Sequence, residues 1–117
     1  MRIVAYRTFR EFVARRVEPK HRQVVAAHLD AWYAQTAVAS WKNSAEVKMQ
    51  YRSASIVSSD RIVFNIRGNA YRLVVKVDYH YGVVLILWLG SHAEYDRIDV
   101  QTVEYERGRY ADSPDRQ

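Results

Sequence analysis

The feature that most constrains the fold is an alternating stretch that begins at Arg61 and leads into Gly68-Asn69. Apolar side chains occupy every second position, so Ile62, Phe64 and Ile66 face the same side of a strand. Glycine readily adopts the positive φ that a type II′ turn needs at its first central position. The stretch therefore predicts a hairpin, with the second strand beginning near position 70.

This turn also predicts which residues pair across the hairpin. If Arg67 opposes Ala70, the apolar partners are Ile66 with Tyr71, Phe64 with Leu73, and Ile62 with Val75. The opposite face then collects, around Val63, the polar side chains Arg61, Asn65, Arg67, Arg72 and Lys76. Like charges on one face repel one another. Either solvent relieves this repulsion, or the face binds phosphate.

Two helices are predicted before the hairpin. After a short strand over positions 2–6, Thr8 can cap a helix that Pro19 ends. From His21 to about Ala39, apolar residues recur at spacings of three and four, which is typical of an amphipathic helix. Asn43 or Ser44 can cap a further single turn that contains Lys48, and residues 51–60 lack periodicity and are predicted to form a loop.

A third strand and a polar C-terminus are predicted after the hairpin. The run from Val83 to Leu89 is almost continuously apolar, as expected for a central strand covered on both faces, and Gly90 is predicted to end it. His92 and Tyr95 then lie three apart and would project together from a helical turn. We predict one domain over residues 1–100, followed by a polar tail over 101–117 that is frayed from about Val103.

Composition limits the possible functions. The net charge of +5 and the absence of cysteine favour a polyanionic partner and exclude disulfides and thiolate metal sites. The four histidines are scattered, so no metal site or other cofactor is predicted. We found no apolar run long enough to span a bilayer, and we expect a cytoplasmic protein with no membrane partner.

The sequence from Val63 to Asp99 resembles the signature of the HigB-type toxins, which belong to the RelE-like superfamily of mRNA interferases in type II toxin–antitoxin systems. The family pattern is close to VFNIKGNKYRLVVKINY followed by GTHAEYDKID, and this chain reads VFNIRGNAYRLVVKVDY and GSHAEYDRID. The departures include Arg67 and Ala70 for lysine and Ser91 for threonine. Trp32-Tyr33, Trp41-Lys42 and Val47-Lys48 extend the similarity, which covers roughly residues 8 to 100.

The resemblance implies an α+β, RelE-like fold in which two N-terminal helices pack on one face of a small antiparallel sheet. It also implies a ribosome-dependent, metal-independent endoribonuclease that acts on mRNA and inhibits translation. The expected partners are mRNA on the ribosome and a neutralising helix-turn-helix antitoxin of the HigA type, with operator DNA bound only through the toxin–antitoxin complex.

The residues needed for such chemistry are present. Cleavage through the ribose 2′-hydroxyl requires a base, cations that stabilise the charged phosphorus centre, and an acid for the leaving oxygen. The candidate catalytic residues are Arg67, Arg72, Lys76, His92 and Tyr95, and the candidate RNA-binding residues are Lys48, Arg61 and Asn65. Structural roles are the alternatives: His92 could cap the strand end and Tyr95 could pack on the core. A non-catalytic RNA- or protein-binding module with the same fold is the alternative function.

Overall fold

The computed structural model describes residues 1–110, and these form an α+β fold with a mixed five-stranded sheet. The elements in chain order are β1 (Arg2–Val4), α1 (Arg7–Arg16), α2 (Arg22–Ala37), α3 (Ser44–Gln50), β2 (Ser55–Ile56), β3 (Arg61–Ile66), β4 (Tyr71–Asp78), β5 (Val83–Ser91) and α4 (His92–Tyr95). A 3₁₀ turn at Pro19–His21 separates α1 from α2. None of the helices within this part of the chain is both long and apolar enough to cross a membrane.

The sheet has the strand order β1-β5-β4-β3-β2. The predicted α+β class is confirmed, but the sheet is not purely antiparallel. Strand β1 runs parallel to β5, whereas the other three neighbouring pairs are antiparallel. A parallel partner requires a long crossover connection, which here contains helices α1 to α3 and strands β2 to β4. The sequence pattern predicted three successive antiparallel strands, and it did not predict the parallel pairing of β1 with β5.

The hairpin between β3 and β4 has the predicted register. Ile62, Phe64 and Ile66 pair with Val75, Leu73 and Tyr71 in that order. At the turn, Gly68 has a φ of 62°, and the Ala70 N–H donates to the Arg67 carbonyl over 3.1 Å. Arg67 itself has a φ of 53°, a left-handed conformation that non-glycine residues rarely adopt. It therefore leaves the extended strand, which the alternating pattern did not predict.

The helices bury their apolar residues as predicted, but some of them begin or end at other residues than predicted. Helix α2 runs as predicted, but α1 begins at Arg7, so Thr8 is a buried helical residue and not the cap. Asn43 caps α3, because its side chain accepts a hydrogen bond from the Glu46 N–H over 3.0 Å. That helix spans seven residues and so exceeds the predicted single turn.

Helices α1 and α2 bury the predicted apolar face of the sheet. Phe9 packs edge-to-face on Trp32, and Trp32 in turn packs on Phe64 with ring centroids 5.3 Å apart. These rings are almost fully buried together with Phe12 and Leu29. Removing such large apolar surfaces from water provides most of the driving force for holding helices on a sheet.

The opposite face of the sheet carries a second, smaller core. An irregularity between β4 and β5 near Val74 places the neighbouring Leu87 and Trp88 on this face, where they pack with Val63. The C-terminal segment, defined as residues 95–110, covers this core with Tyr95, Ile98, Val100 and Val103. Gly90 does not end β5, because the strand continues through it to Ser91.

The C-terminal segment is also part of the helix-side core. Tyr110 is only 5% exposed, packs on Phe12 with ring centroids 5.4 Å apart, and accepts a hydrogen bond from the Leu89 N–H over 2.7 Å. Strand β1 pairs with β5 only as far as Leu85, so Tyr110 occupies the strand edge beyond it. The prediction of a frayed tail from Val103 is therefore wrong for residues 103–110, and residues 111–117 lie outside the described part of the chain.

Candidate functional site

The polar face of the sheet is accessible beside the β3–β4 turn, where Asn65 and Arg72 are half-buried. There Asn65 pairs with Arg72, and Arg72 pairs with Gly90 on the next strand. The Arg72 guanidinium donates to the Asn69 carbonyl over 3.1 Å and lies 5.9 Å from the centre of the Tyr95 ring. Both contacts orient the guanidinium toward the hairpin end of the sheet.

Two residues that sequence analysis did not select hold Tyr95 in place. The Trp88 ring lies 6.2 Å from the Tyr95 ring, and it also covers Gly90. A Cβ atom added at position 90 would lie 2.3 Å from the far edge of the Trp88 indole, a distance that requires the indole to move. A glycine inside an apolar strand is the sequence signal for such a close approach. Trp88 and Gly90 therefore set the position of the aromatic ring that Arg72 contacts.

Replacing Gly90 with alanine should displace the Trp88 indole, because the new methyl group overlaps it. We expect a loss of about 1–3 kcal/mol in the free energy of unfolding, which is typical of overpacking a core. Urea denaturation measures this loss, and the Trp88–Tyr95 contact can be followed by NMR. The double variant with Trp88→Leu provides space for the methyl group and should lose less stability than the sum of the single changes. Simple additivity would contradict the proposed overlap.

The side chain of His92 is exposed beside the same turn. Ser91 caps α4 by accepting from the Glu94 N–H over 3.1 Å, while the His92 N–H donates to the Ala70 carbonyl over 3.0 Å. The His92 Nε2 atom lies 3.8 Å from an Asp96 carboxylate oxygen. Asp96 was missed by sequence analysis, although its spacing of four from His92 is the spacing of neighbours on a helix surface.

Arg67 lies in the β3–β4 turn, and Lys48 lies on α3. Burial raises the pKa of the Tyr71 hydroxyl, and the charge of Arg67 partly counteracts that effect. The Lys48 ammonium donates to the Ala54 carbonyl. Asn65 Nδ2 donates to the Ser53 carbonyl over 3.4 Å, so the loop that follows α3 connects Lys48 to this end of the sheet.

We call Asn65, Arg67, Arg72, His92 and Tyr95 the hairpin-end cluster. Its members come from β3, β4, their turn and α4, so only the folded chain brings them together. The cluster combines guanidinium groups, which bind two phosphate oxygens at once, with an imidazole that can transfer protons near neutral pH.

Arg61 is not at the surface, and the prediction that it binds RNA is wrong for this structure. Its side chain is only 7% exposed. The guanidinium donates to the carbonyls of Val100 and Val103, over 3.1 and 2.6 Å, and pairs with the Glu104 carboxylate. Arg61 is thereby a structural cation that holds the C-terminal segment on the sheet.

Lys76 is exposed but lies at the other end of the sheet face. It pairs with Arg61 and Leu85, four residues along β4 from Arg72. Four strand residues span about 13 Å, and the Arg72 guanidinium is oriented away from Lys76 toward Asn69. One phosphate group cannot contact both side chains, so the structure divides the predicted basic face and separates Lys76 from the hairpin-end cluster.

Comparison with known proteins gives one family. The family model for the HigB toxin, described as the RelE-like toxic component of a toxin–antitoxin system, matches residues 25–98. This range is more than half of the chain and contains the whole hairpin-end cluster, whereas α1 and most of the C-terminal segment lie outside it. No curated protein matches the chain. The chain therefore belongs to the HigB family of RelE-like toxins, and it is the toxic component of a toxin–antitoxin system whose antitoxin is its partner.

Proposed function

We propose that this toxin is a ribosome-dependent, metal-independent endoribonuclease that cleaves mRNA and thereby inhibits translation. The observation that carries the proposal is the position of Arg72, which is half-buried but accessible beside Asn65, with the His92–Asp96 pair at the same end of the sheet. Membership of the HigB family supports the toxin role. The cluster supports cleavage because it offers both positive charge and a group that transfers protons.

The proposed reaction uses the ribose next to the cleaved bond. A base removes the proton of the 2′-hydroxyl, and the 2′-oxygen attacks the adjacent phosphorus. The bond from phosphorus to the 5′-oxygen then breaks, and that oxygen takes up a proton from an acid. The products are a 2′,3′-cyclic phosphate and a 5′-hydroxyl end. Additional negative charge develops on the phosphate oxygens in the transition state, and fixed cations lower its energy.

Each residue has a proposed role in this reaction. Arg72 binds the reacting phosphate and stabilises its transition state, and Arg67 supplies a second guanidinium from the turn. His92 transfers a proton, and the neighbouring Asp96 carboxylate positions its imidazole. Tyr95 positions Arg72 and can donate a hydrogen bond to RNA through its hydroxyl. Asn65 and Lys48 contact the RNA on either side of the reacting phosphate.

The cognate antitoxin is proposed to be a helix-turn-helix protein of the HigA type. Such an antitoxin would neutralise the toxin and bind operator DNA, and the toxin would reach that DNA only within the complex. Copurification of the toxin with the product of a neighbouring reading frame tests this proposal. An adjacent antitoxin without a helix-turn-helix region would overturn it.

The cleavage proposal is tested in a translating extract with a defined mRNA. We expect cleavage of the translated message, no cleavage of the same RNA without ribosomes, and product ends that carry a cyclic phosphate and a 5′-hydroxyl. An mRNA with a 2′-deoxynucleotide before the cleaved bond should resist cleavage at that bond, because the nucleophile is missing.

Three outcomes would contradict separate parts of the proposal. Equal cleavage of naked RNA excludes ribosome dependence. Cleavage after the 2′-deoxynucleotide excludes 2′-hydroxyl attack and points instead to an activated water. A salt-dependent complex that yields no product favours a non-catalytic binding module.

A further inference from the structure

A second concavity lies on the polar face of the sheet, at the end opposite the hairpin-end cluster. Its volume is ≈ 920 Å³, within the range of about 300–1,000 Å³ that is typical of small-molecule sites. We call it the distal cleft. It is lined by Arg2, Asp60, Lys76, Val77, Asp78, Tyr79, His80, Tyr81, Val83 and Leu85.

The sheet register explains the floor of the distal cleft. Val83 pairs with Arg2 on one side and with Asp78 on the other, while Leu85 pairs with Lys76. Paired residues project to the same face of a sheet. The floor is therefore apolar, with a guanidinium on the β1 side and an ammonium and a carboxylate on the β4 side.

The turn between β4 and β5 provides an aromatic wall. The Tyr81 side chain is 77% exposed, and its ring centroid lies 4.6 Å from that of His80 in an edge-to-face arrangement. The turn itself is fixed, because the Tyr81 N–H donates to an Asp78 carboxylate oxygen over 2.9 Å and Gly82 has a φ of 68°. An ordered turn thus presents a large aromatic ring to solvent beside the cleft.

The cations of the distal cleft are available to a ligand. Within residues 1–110, neither the Lys76 ammonium nor the Arg2 guanidinium forms an ion pair. The two carboxylates that line the cleft have other partners: Asp60 accepts from the Ser58 hydroxyl over 3.0 Å, and Asp78 accepts from the turn. The cleft therefore carries two cations and two carboxylates, and an anion would bind directly at Lys76 and Arg2, which have no carboxylate partner among residues 1–110.

We propose that the distal cleft is a nucleotide-binding subsite for single-stranded RNA. In this assignment Lys76 and Arg2 bind a backbone phosphate, and a base stacks on Tyr81. Cations next to exposed aromatic rings are the usual means by which proteins hold unpaired nucleotides. The remaining acceptor oxygens of Asp60 and Asp78 can accept hydrogen bonds from base amino groups or from a 2′-hydroxyl.

The nucleotide bound there is not the one that is cleaved. About 13 Å of strand separates Lys76 from Arg72, and the C-terminal segment crosses the sheet between them over Val63 and Val74. The subsite would hold RNA on one side of the reacting phosphate and so extend the contact made by the hairpin-end cluster. The choice of RNA as the polymer rests on the proposed function.

The test measures, without ribosomes, binding of a fluorescent single-stranded RNA oligonucleotide to the full chain in an Arg72→Ala background, which slows cleavage. Tyr81→Ala should weaken binding by roughly 5- to 150-fold, the range expected for loss of one stacked base, and Tyr81→Phe should restore it. Lys76→Gln should reduce the slope of log affinity against log salt by about 0.7, because one phosphate contact is lost. A photo-reactive uridine in the oligonucleotide should crosslink to the peptide that contains Tyr81.

Matched controls are present in the chain. Tyr105 is an exposed tyrosine and Lys42 an exposed lysine, and neither lines the distal cleft. Tyr105→Ala and Lys42→Gln should leave RNA affinity unchanged. Equal affinities for the cleft variants and these controls would overturn the proposal, even if the wild type cleaves translated mRNA. The converse result is RNA binding that depends on Tyr81 while the wild type cleaves no translated mRNA. That result would support the subsite and contradict the proposed enzyme.

Other occupants give different results. If a mononucleotide binds in a Tyr81-dependent manner and RNA does not compete with it, the cleft is a site for a small nucleotide and the proposal fails. If the Tyr81 and Lys76 variants lose affinity for the antitoxin but not for RNA, the cleft is a protein interface and the proposal also fails.

Discussion

Replacing Arg72 with alanine is expected to slow the proposed mRNA cleavage by about 10²- to 10³-fold, the usual effect of removing one donor that stabilises transition-state charge. The guanidinium is oriented by the Asn69 carbonyl and by the Tyr95 ring, so it meets a phosphate in a fixed geometry. Arg72→Lys keeps the charge but loses the planar fork, and it should recover only part of the rate. The rate is measured as single-turnover cleavage on programmed ribosomes.

Arg10→Ala is the matched control for this prediction. Arg10 is an exposed arginine on α1, away from the hairpin-end cluster, so its removal lowers the net charge equally without touching the proposed site. We expect its cleavage rate to stay near that of the wild type. Urea denaturation should show that both variants unfold with nearly unchanged free energy. A folded Arg72→Ala variant that cleaves at the wild-type rate would remove Arg72 from the mechanism.

Replacing Tyr110 with alanine is expected to lower the free energy of unfolding by about 3–5 kcal/mol, as for other large buried aromatic residues. The ring fills the space between Phe12 and the edge of β5, and Arg16 covers it 5.6 Å from the ring centre. The hydroxyl also pairs with the Leu89 N–H and carbonyl. Loss of the ring therefore leaves both a cavity and an unpaired strand edge.

The Tyr110→Phe variant separates these two effects. This variant keeps the ring, so its free energy of unfolding should fall by only about 1–3 kcal/mol, the cost of leaving buried polar groups unpaired. Tyr105→Ala, an exposed position in the same segment, should change stability by less than about 0.5 kcal/mol. Urea denaturation measures all three variants. Equal stability of wild type and Tyr110→Ala would mean that the C-terminal segment does not contribute to folding.

The same residue predicts a pH dependence. Burial raises the pKa of the Tyr110 hydroxyl above its usual value of 10.0. The folded state then holds this proton more tightly than the unfolded state, so stability falls as the pH rises from about 10 toward the raised value. The loss of stability at alkaline pH should be smaller in the Tyr110→Phe variant, because position 110 then carries no ionisable group.

The C-terminal segment divides the polar face of the sheet into two parts. It covers the middle of the polar sheet face, where Arg61 holds it through the carbonyls of Val100 and Val103. Among residues 1–110, the two ends of that face stay open, the hairpin-end cluster at one and the distal cleft at the other. A ligand that extends along the sheet can contact both ends only by passing over the segment.

Local sequence determined the hairpin and the helices. Alternation over β3, with a glycine able to adopt positive φ, was sufficient to predict the pairing of Phe64 with Leu73 and the apolar face. The periodicity of α2 predicted its buried stripe in the same way. These predictions succeeded because they depend on interactions between residues that are close together in the sequence. A register slip is also disfavoured, since it would expose the apolar face and bury the polar one.

Only the tertiary structure decided which cations of the predicted basic face are available to a ligand. Arg61 and Arg72 project to the same face and look equivalent in the sequence, yet one is buried and the other is accessible. The difference arises from contacts of Arg61 with residues 39 to 43 positions further along the chain. Strand periodicity specifies the face to which a side chain projects, but it carries no information about a distant segment that covers that face.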